Sequence, residues 1–215
     1  IYYINMSPLK SHTKRLALAI LFAVLAAAPT TATQSISITS AQYQLNGTNI
    51  EDTAGNNIIN AGDLNQDGYS DLIIGAKNAN SSSGQVYILY GNTITPNFTL
   101  SASDFTITSN IESTTYIGKV LAGNGDLDGD GAPDFALGVP DIKKNVYTYL
   151  SQNRGDWTSE MTLGNEGQPK NFNSDSSIMN TGENGFNFVS VDGDFNGDGY
   201  DDLLIGTSIG NDNNT

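Results

Sequence analysis

The sequence predicts an all-β chain built from repeated sheet units, and three observations predict it. A nine-residue acidic pattern is written three times, as DLNQDGYSD from Asp63 to Asp71, DLDGDGAPD from Asp126 to Asp134 and DFNGDGYDD from Asp194 to Asp202. Each copy runs into a short apolar segment closed by glycine: Leu72 to Gly75, Phe135 to Gly138 and Leu203 to Gly206. The copies start 63 and then 68 residues apart. Regular spacing on that scale means stacked units. A unit of this length, with about four short strands and no helical period, is the size of a β-propeller blade, where radial repetition protects sheet edges around a central channel.

Taken in order, the chain opens on Ile1 and reaches its first methionine at Met6, which reads as the open-ended start of a translated frame. From Met6 a secretory signal peptide is expected over residues 6–32. Lys10, Lys14 and Arg15 supply its positive segment, Leu16 to Ala28 form a 13-residue apolar core, and cleavage falls after Ala32. A spanning helix needs about 20 apolar residues, so this segment is short for a membrane anchor, and no direct membrane insertion is expected once it is removed. The repeats occupy residues 33–215. The third exit run is followed closely by Asn211 to Thr215, which leaves no room for the rest of a third blade. The expectation is an incomplete set of blades, the remaining ones coming from a missing part of the chain.

The acidic loops carry the chemistry. Oxygen-bearing side chains stand at positions one, three, five and nine, and a glycine stands at six, where the chain must turn sharply. Such a loop suits a hard cation: calcium takes six to eight oxygen ligands at about 2.3–2.6 Å, and the backbone carbonyl of position seven can add one more. One copy alone would also fit an ordinary Asp-Gly hairpin turn. A turn has no use for carboxylates at positions one, five and nine in three separate copies. An EF-hand needs a bidentate glutamate at position twelve and a helix leading out of the loop; position twelve here is Ile74, Leu137 or Ile205, and the segments leaving the loops read as buried strands. The alternating segments Gly84 to Gly91 and Asn145 to Leu150 then supply a further strand after the first and second copies. The unit is loop, strand, turn, strand.

With these pieces assembled, the chain resembles the FG-GAP repeats of integrin α-subunits and of many secreted bacterial proteins. Tyr116-Ile117-Gly118 precedes the second loop, and Gly138-Val139-Pro140 stands where that family has Gly-Ala-Pro; Gly75-Ala76-Lys77 and Gly206-Thr207-Ser208 are weaker copies. The resemblance runs from about residue 40 to the end. It implies a seven-bladed β-propeller with calcium in the acidic loops, about three ions in this chain. The ligands it implies are Asp63, Asn65, Asp67, Tyr69 and Asp71; Asp126, Asp128, Asp130, Ala132 and Asp134; and Asp194, Asn196, Asp198, Tyr200 and Asp202, with Tyr69, Ala132 and Tyr200 acting through their carbonyls. Three blades cannot close a ring, since propellers typically use about 4–8.

Composition excludes several functions. After Ala32 the chain holds 23 acidic and six basic residues, a formal charge of −17, which three divalent ions would reduce to −11. Nucleic acid, whose phosphates demand basic patches, is excluded as a partner. There is no cysteine, and the single histidine, His12, lies in the expected leader. The mature portion therefore lacks a Ser-His-Asp triad, a Cys nucleophile or a usual zinc site. A glycosidase pair of carboxylates about 5–9.5 Å apart is conceivable, but the clustered acids are already explained as ligands. No catalytic residue is assigned and this segment is expected not to be an enzyme. Without disulfides, metal ligation can stabilise an exported domain; animal integrin α-chains carry disulfides, so the absence of cysteine leans towards a bacterial source. Arg154-Gly155-Asp156, followed by Trp157, matches the tripeptide by which matrix proteins engage integrins, but it is short enough to arise by chance, as are the glycosylation patterns at Asn46, Asn80 and Asn97.

The expected function is a secreted or cell-surface, calcium-binding propeller that serves as an adhesion or protein-binding platform, located outside the cell or in the periplasm of a bacterium. Its ligand would be an extracellular protein or a glycan. The alternatives are the non-catalytic propeller module of a larger secreted hydrolase, resembling the one that accompanies a glycosylphosphatidylinositol-cleaving phospholipase D or a polysaccharide-degrading enzyme, and a sugar-binding propeller.

Overall fold

A computed structural model describes residues 2–4, 43–109, 115–139, 145–151, 160–163 and 187–206. The expected leader at 6–32, His12, the Arg154-Gly155-Asp156 tripeptide, Trp157, Pro140, Thr207 and Ser208 lie outside the described residues. The strands in chain order are β1 (Tyr2–Ile4), β2 (Tyr43–Asn46), β3 (Ala54–Gly62), β4 (Asp71–Ala76), β5 (Gln85–Leu89), β6 (Phe98–Thr99), β7 (Phe105–Ser109), β8 (Val120–Gly125), β9 (Asp134–Val139), β10 (Asn145–Tyr149), β11 (Glu160–Leu163), β12 (Phe188–Ser190) and β13 (Leu204–Gly206). The fold is all-β. Among the described residues no helix is long and apolar enough to cross a membrane.

The first unit is an antiparallel meander, β3-β4-β5-β7, with Ile73 opposite Ile59 on one side and Ile88 on the other. The second begins the same way as β8-β9-β10, and the third as the pair β12-β13. The first strands of successive units, β3 with β8 and β8 with β12, lie against one another, as they must if the blades are arranged radially. These are blades of a β-propeller, three of them in sequence.

The apolar runs explain the stacking. Every residue from Asp71 to Ala76 is buried, and alternation sends successive side chains to opposite faces of the sheet. Ile73, Val86, Ile88 and Ile107 face the second blade, where they meet Leu121, Phe135, Leu137 and Val139 in one cluster. Leu72, Ile74, Ala76, Tyr87 and Leu89 face the other way, against Leu45, Phe98 and Leu100. The second blade repeats the arrangement, turning Val120, Ala122, Ala136 and Val146 towards Val189 and Val191 of the third. Full burial of such aliphatic side chains contributes about 1.5–3 kcal/mol each. Phe135 and Tyr149 stack with their centroids 4.3 Å apart and their planes 9° apart.

The weak family motif seen in the sequence has a packing role. Gly118 (φ +85°) lies against Gly75 of the first blade, and a β-carbon on Gly118 would come 2.8 Å from the Gly75 Cα. Two glycines let the backbones of neighbouring blades approach this closely. Around them Tyr116 N donates to Ser82 O at 3.1 Å, Ile117 N to Ser83 O at 3.1 Å and Thr115 Oγ1 to Ser83 O at 2.6 Å. The accepting carbonyls belong to a turn in which Asn80, Ser81 and Ser82 all take left-handed backbone, φ 52°, 59° and 70°. Each such residue costs about 1–2 kcal/mol, offset by docking the next blade's entry segment.

Two features differ from a simple run of four-stranded units. β11 pairs parallel with β7 of the first blade, with Met161 opposite Ile107, rather than continuing the second blade; it covers an otherwise open ladder and buries Leu163 in the main core. A separate small sheet, β1-β2-β6, contains the antiparallel pair β1-β2 and the parallel pair β2-β6. It caps the outward face of the first blade through Leu45 and Phe98.

Candidate metal centre

Each acidic segment is the hairpin connection between the first two strands of its blade: β3 to β4, β8 to β9, and β12 to β13. The hairpin reading of a single copy is therefore correct for topology and insufficient for the loop. The connections are too long to be two-residue turns, and their shape is held by their own carboxylates. The glycines at position six have φ +91°, +82° and +94° at Gly68, Gly131 and Gly199. Position four is left-handed as well, with Gln66 at +56°, Gly129 at +75° and Gly197 at +79°.

The same hydrogen bonds recur in all three loops. The position-one carboxylate accepts from the glycine at position six: Gly68 N to Asp63 Oδ2 at 2.8 Å, Gly131 N to Asp126 Oδ2 at 2.9 Å, and Gly199 N to Asp194 Oδ2 at 2.9 Å. Its other oxygen accepts from Asp67 N, Gly129 N, or Gly197 N and Asp198 N. The position-three side chain accepts from position five, as Asn65 Oδ1 from Asp67 N, Asp128 Oδ1 from Asp130 N and Asn196 Oδ1 from Asp198 N. Position five in turn accepts from position seven, at 2.8–3.0 Å from Tyr69 N, Ala132 N and Tyr200 N. In the second loop positions one, three and five are thereby turned inward on one small volume.

Position nine ties the loop to the sheet. Asp71 and Asp134 are fully buried. Asp71 accepts from Leu64 N at 2.8 Å and from Gly91 N at 2.9 Å; Asp134 accepts from Leu127 N and Ser151 N, both at 2.8 Å. One carboxylate thus ties together the start of its loop, its own strand and the end of the strand after it. Asp202 repeats the first of these bonds, from Phe195 N at 2.8 Å, and also accepts from the Asn196 side chain. Burial is the larger influence on Asp71 and Asp134: it pushes both up to about 7, against the lowering effect of the backbone donors, with neighbouring loop aspartates adding to the rise. Asp194, fully exposed, is held below the ordinary carboxylate range by the N–H groups of Gly199, Gly197 and Asp198.

In the second loop, Asp126, Asp128 and Asp130 place one carboxylate oxygen each within 4.8 Å of one another. Three like charges at that spacing repel by roughly 1 kcal/mol or more per pair, depending on local dielectric, and a divalent cation reverses the sign. The donor set is entirely oxygen, which suits calcium and does not suit softer metals. The residues present fit the ion that the resemblance implies. Asp126, Asp128, Asp130 and the carbonyl of Ala132 would hold it, with Asp134 fixing the frame behind them. Asp63, Asn65, Asp67, Tyr69 and Asp71 in the first loop, and Asp194, Asn196, Asp198, Tyr200 and Asp202 in the third, sit in the corresponding places.

Sequence reasoning missed two residues here. Asp201, at position eight of the third loop, accepts from Asp126 N at 2.8 Å; in the sequence it is one more acid in an acidic run. Asp104 accepts from Tyr90 N and from Thr93 Oγ1, both at 2.8 Å, and so fastens the turn after β5. The only sequence signal for either is an acid beside a strand end, which is too common to single them out.

Comparison with known proteins bears on the same segment. The FG-GAP repeat family model matches residues 55–89, which contain the first loop with the strands around it. The chain is 34% identical over 97 residues to phosphatidylinositol-glycan-specific phospholipase D of Mus musculus, covering 43% of this chain and 12% of that protein. It is 38% identical over 90 residues to integrin alpha pat-2 of Caenorhabditis elegans, covering 40% of this chain and 7% of that protein. It is 30% identical over 159 residues to integrin alpha-4 of Xenopus laevis, covering 69% of this chain and 14% of that protein. The chain thus spans a small part of the length of each of these relatives.

Proposed function

Given that this chain carries FG-GAP repeat sequence folded as β-propeller blades, we propose that it is a calcium-binding propeller module of a secreted or cell-surface protein, serving as an adhesion or protein-binding platform. The observation that carries the metal reading is the convergence of the Asp126, Asp128 and Asp130 carboxylates within 4.8 Å. The recurrence of one hydrogen-bond frame in all three loops supports extending it to the first and third. Bound calcium would neutralise the clustered carboxylates and rigidify the hairpin connections. Rigid blades then present the variable connections, the usual home of recognition residues, to an extracellular protein or glycan. On this reading residues 6–32 are a leader that directs export.

The module itself is non-catalytic. A second reading, the propeller accessory of a larger secreted hydrolase, is favoured by one specific observation, the 34% identity to the phospholipase over 97 residues. The two readings part on what the same polypeptide carries besides the blades: an anchor or adhesive domain for the first, a histidine-bearing or carboxylate-bearing catalytic domain for the second.

The test of the metal reading is thermal unfolding of the full-length protein in millimolar calcium and in chelator. Calcium should raise the melting temperature, because an ion that binds only the folded state adds to stability. Asp130→Ala should reduce the increment. A melt identical in calcium and chelator refutes the reading.

A further inference from the structure

The second and third loops are joined by a reciprocal pair of hydrogen bonds. Asp126, the opening residue of the second loop, donates its N–H to Asp201 Oδ2 at 2.8 Å, and Asp201 N donates back to Asp126 O at 2.9 Å. Asp201 stands between Tyr200 and Asp202, two of the positions proposed to hold the third ion. The Tyr200 ring lies on Gly129 of the second loop, where an added β-carbon would come 2.6 Å from Cε1. In the second loop, position eight is Pro133. It packs against Gly62, just ahead of the first loop, at a spacing of 2.6 Å from a β-carbon placed there. Proline has no side-chain acceptor and no N–H to offer. The same structural position is therefore a paired hydrogen-bond clasp between loops two and three, and in loop two a proline packed on Gly62 at the end of β3, beside Asn124 Oδ1.

We propose that Asp201 is a positioning residue that couples the metal sites of the second and third loops. This rests on the calcium reading above. Ordering the third loop around an ion fixes the backbone at Tyr200 and Asp202, hence at Asp201, and through the clasp fixes Asp126. The second loop then loses less freedom when its own ion binds. A first ligand that rigidifies a shared segment lowers the ordering cost of the second, and the coupling is reciprocal by thermodynamic necessity. The clasp also predicts direction along the chain: sites two and three are coupled, and site one titrates independently.

The test is calorimetric calcium titration of the full-length protein, with the second-loop event identified as the one lost in Asp130→Ala. Emptying the third loop with Asp198→Ala should weaken the second-loop site by about fivefold or more, the lower end of ordinary coupling, and leave the first-loop site unchanged. Asp201→Ala should weaken it similarly with the third loop intact, after which Asp198→Ala has no further effect on it. Asp201→Asn keeps an oxygen to accept the Asp126 N–H and should restore the coupling. Should Asp201→Ala fail to fold, the reciprocal measurement stands without it: Asp130→Ala must weaken the third-loop site by the same factor that Asp198→Ala weakens the second. Calcium binding at both loops with neither variant affecting the other site overturns the coupling alone. No calcium binding at any loop overturns the coupling together with the reading beneath it. Asn behaving like Ala at residue 201 overturns the hydrogen-bond mechanism.

Discussion

Gly75→Ala isolates what holds one blade to the next. Gly75 lies within β4, outside the left-handed region, so alanine there meets no backbone strain, and replacing a strand glycine would ordinarily stabilise by about 0.4–1 kcal/mol through the unfolded chain. The packing reverses the sign. The new β-carbon would lie 2.7 Å from the carbonyl carbon of Gly118 and 2.9 Å from its Cα, and would overlap the carbonyl oxygen. Nothing at the contact is a flexible side chain, so relief requires moving the backbone of one blade away from the other. Gaps of about 0.5–1 Å forfeit a quarter to a half of each dispersion contact, and the cluster joining Ile73 and Ile107 to Phe135 and Leu137 spans this boundary. The expected loss is about 1–3 kcal/mol, the usual range for overpacking, measured by urea denaturation of the full-length protein. Amide exchange supplies a local readout: protection of Tyr116 and Ile117 N–H, which donate to Ser82 and Ser83 across the same boundary, should fall more than that of Ile88. A Gly75→Ala protein as stable as the parent, or more stable, refutes the close-approach argument.

Gly131→Ala should cost about 1–2 kcal/mol in chelator for a different reason, since nothing lies within 4 Å of the added carbon and only the φ of +82° is strained; a neutral effect in the same denaturation assay would contradict the left-handed turn. The pH dependence of the metal-free protein rests on Asp71 and Asp134, both raised to about 7 in the folded state from 3.8. Between those values the folded protein holds protons that the unfolded chain has released, so their contribution falls as pH rises from about 4 to about 7; melting temperature against pH in chelator should slope downward there, and Asp71→Asn should flatten the slope.

The loops were legible because their information is local. Positions one, three, five, six and nine mark one loop pattern within nine residues, and the structure gives the three copies a recurring hydrogen-bond frame. The exit runs were legible for the same reason: an uninterrupted apolar segment closed by glycine, such as Leu72 to Gly75, is what a strand buried on both faces must look like. What could not be read is non-local. Asp201 meets Asp126 across 75 residues, and nothing in either neighbourhood announces the other. The parallel pairing of β11 with β7 depends on an open edge that exists only once the first blade has formed. The place of Asp71 and Asp134 in the frame was half legible: the loop pattern singled them out, while their bonds to Gly91 and Ser151 come from the far end of another strand.

The backbone-held shape of the loops has an evolutionary consequence. Position four is Gln66, Gly129 or Gly197 and is exposed in each loop, yet the carboxylate-to-amide bonds that define each loop are the same. The scaffold residues and the free residues are interleaved but separable. Mutation can therefore sample the free positions, redrawing the outline that a blade offers to a partner, while the frame beneath keeps its geometry. A protein made this way can change whom it meets without relearning how to fold.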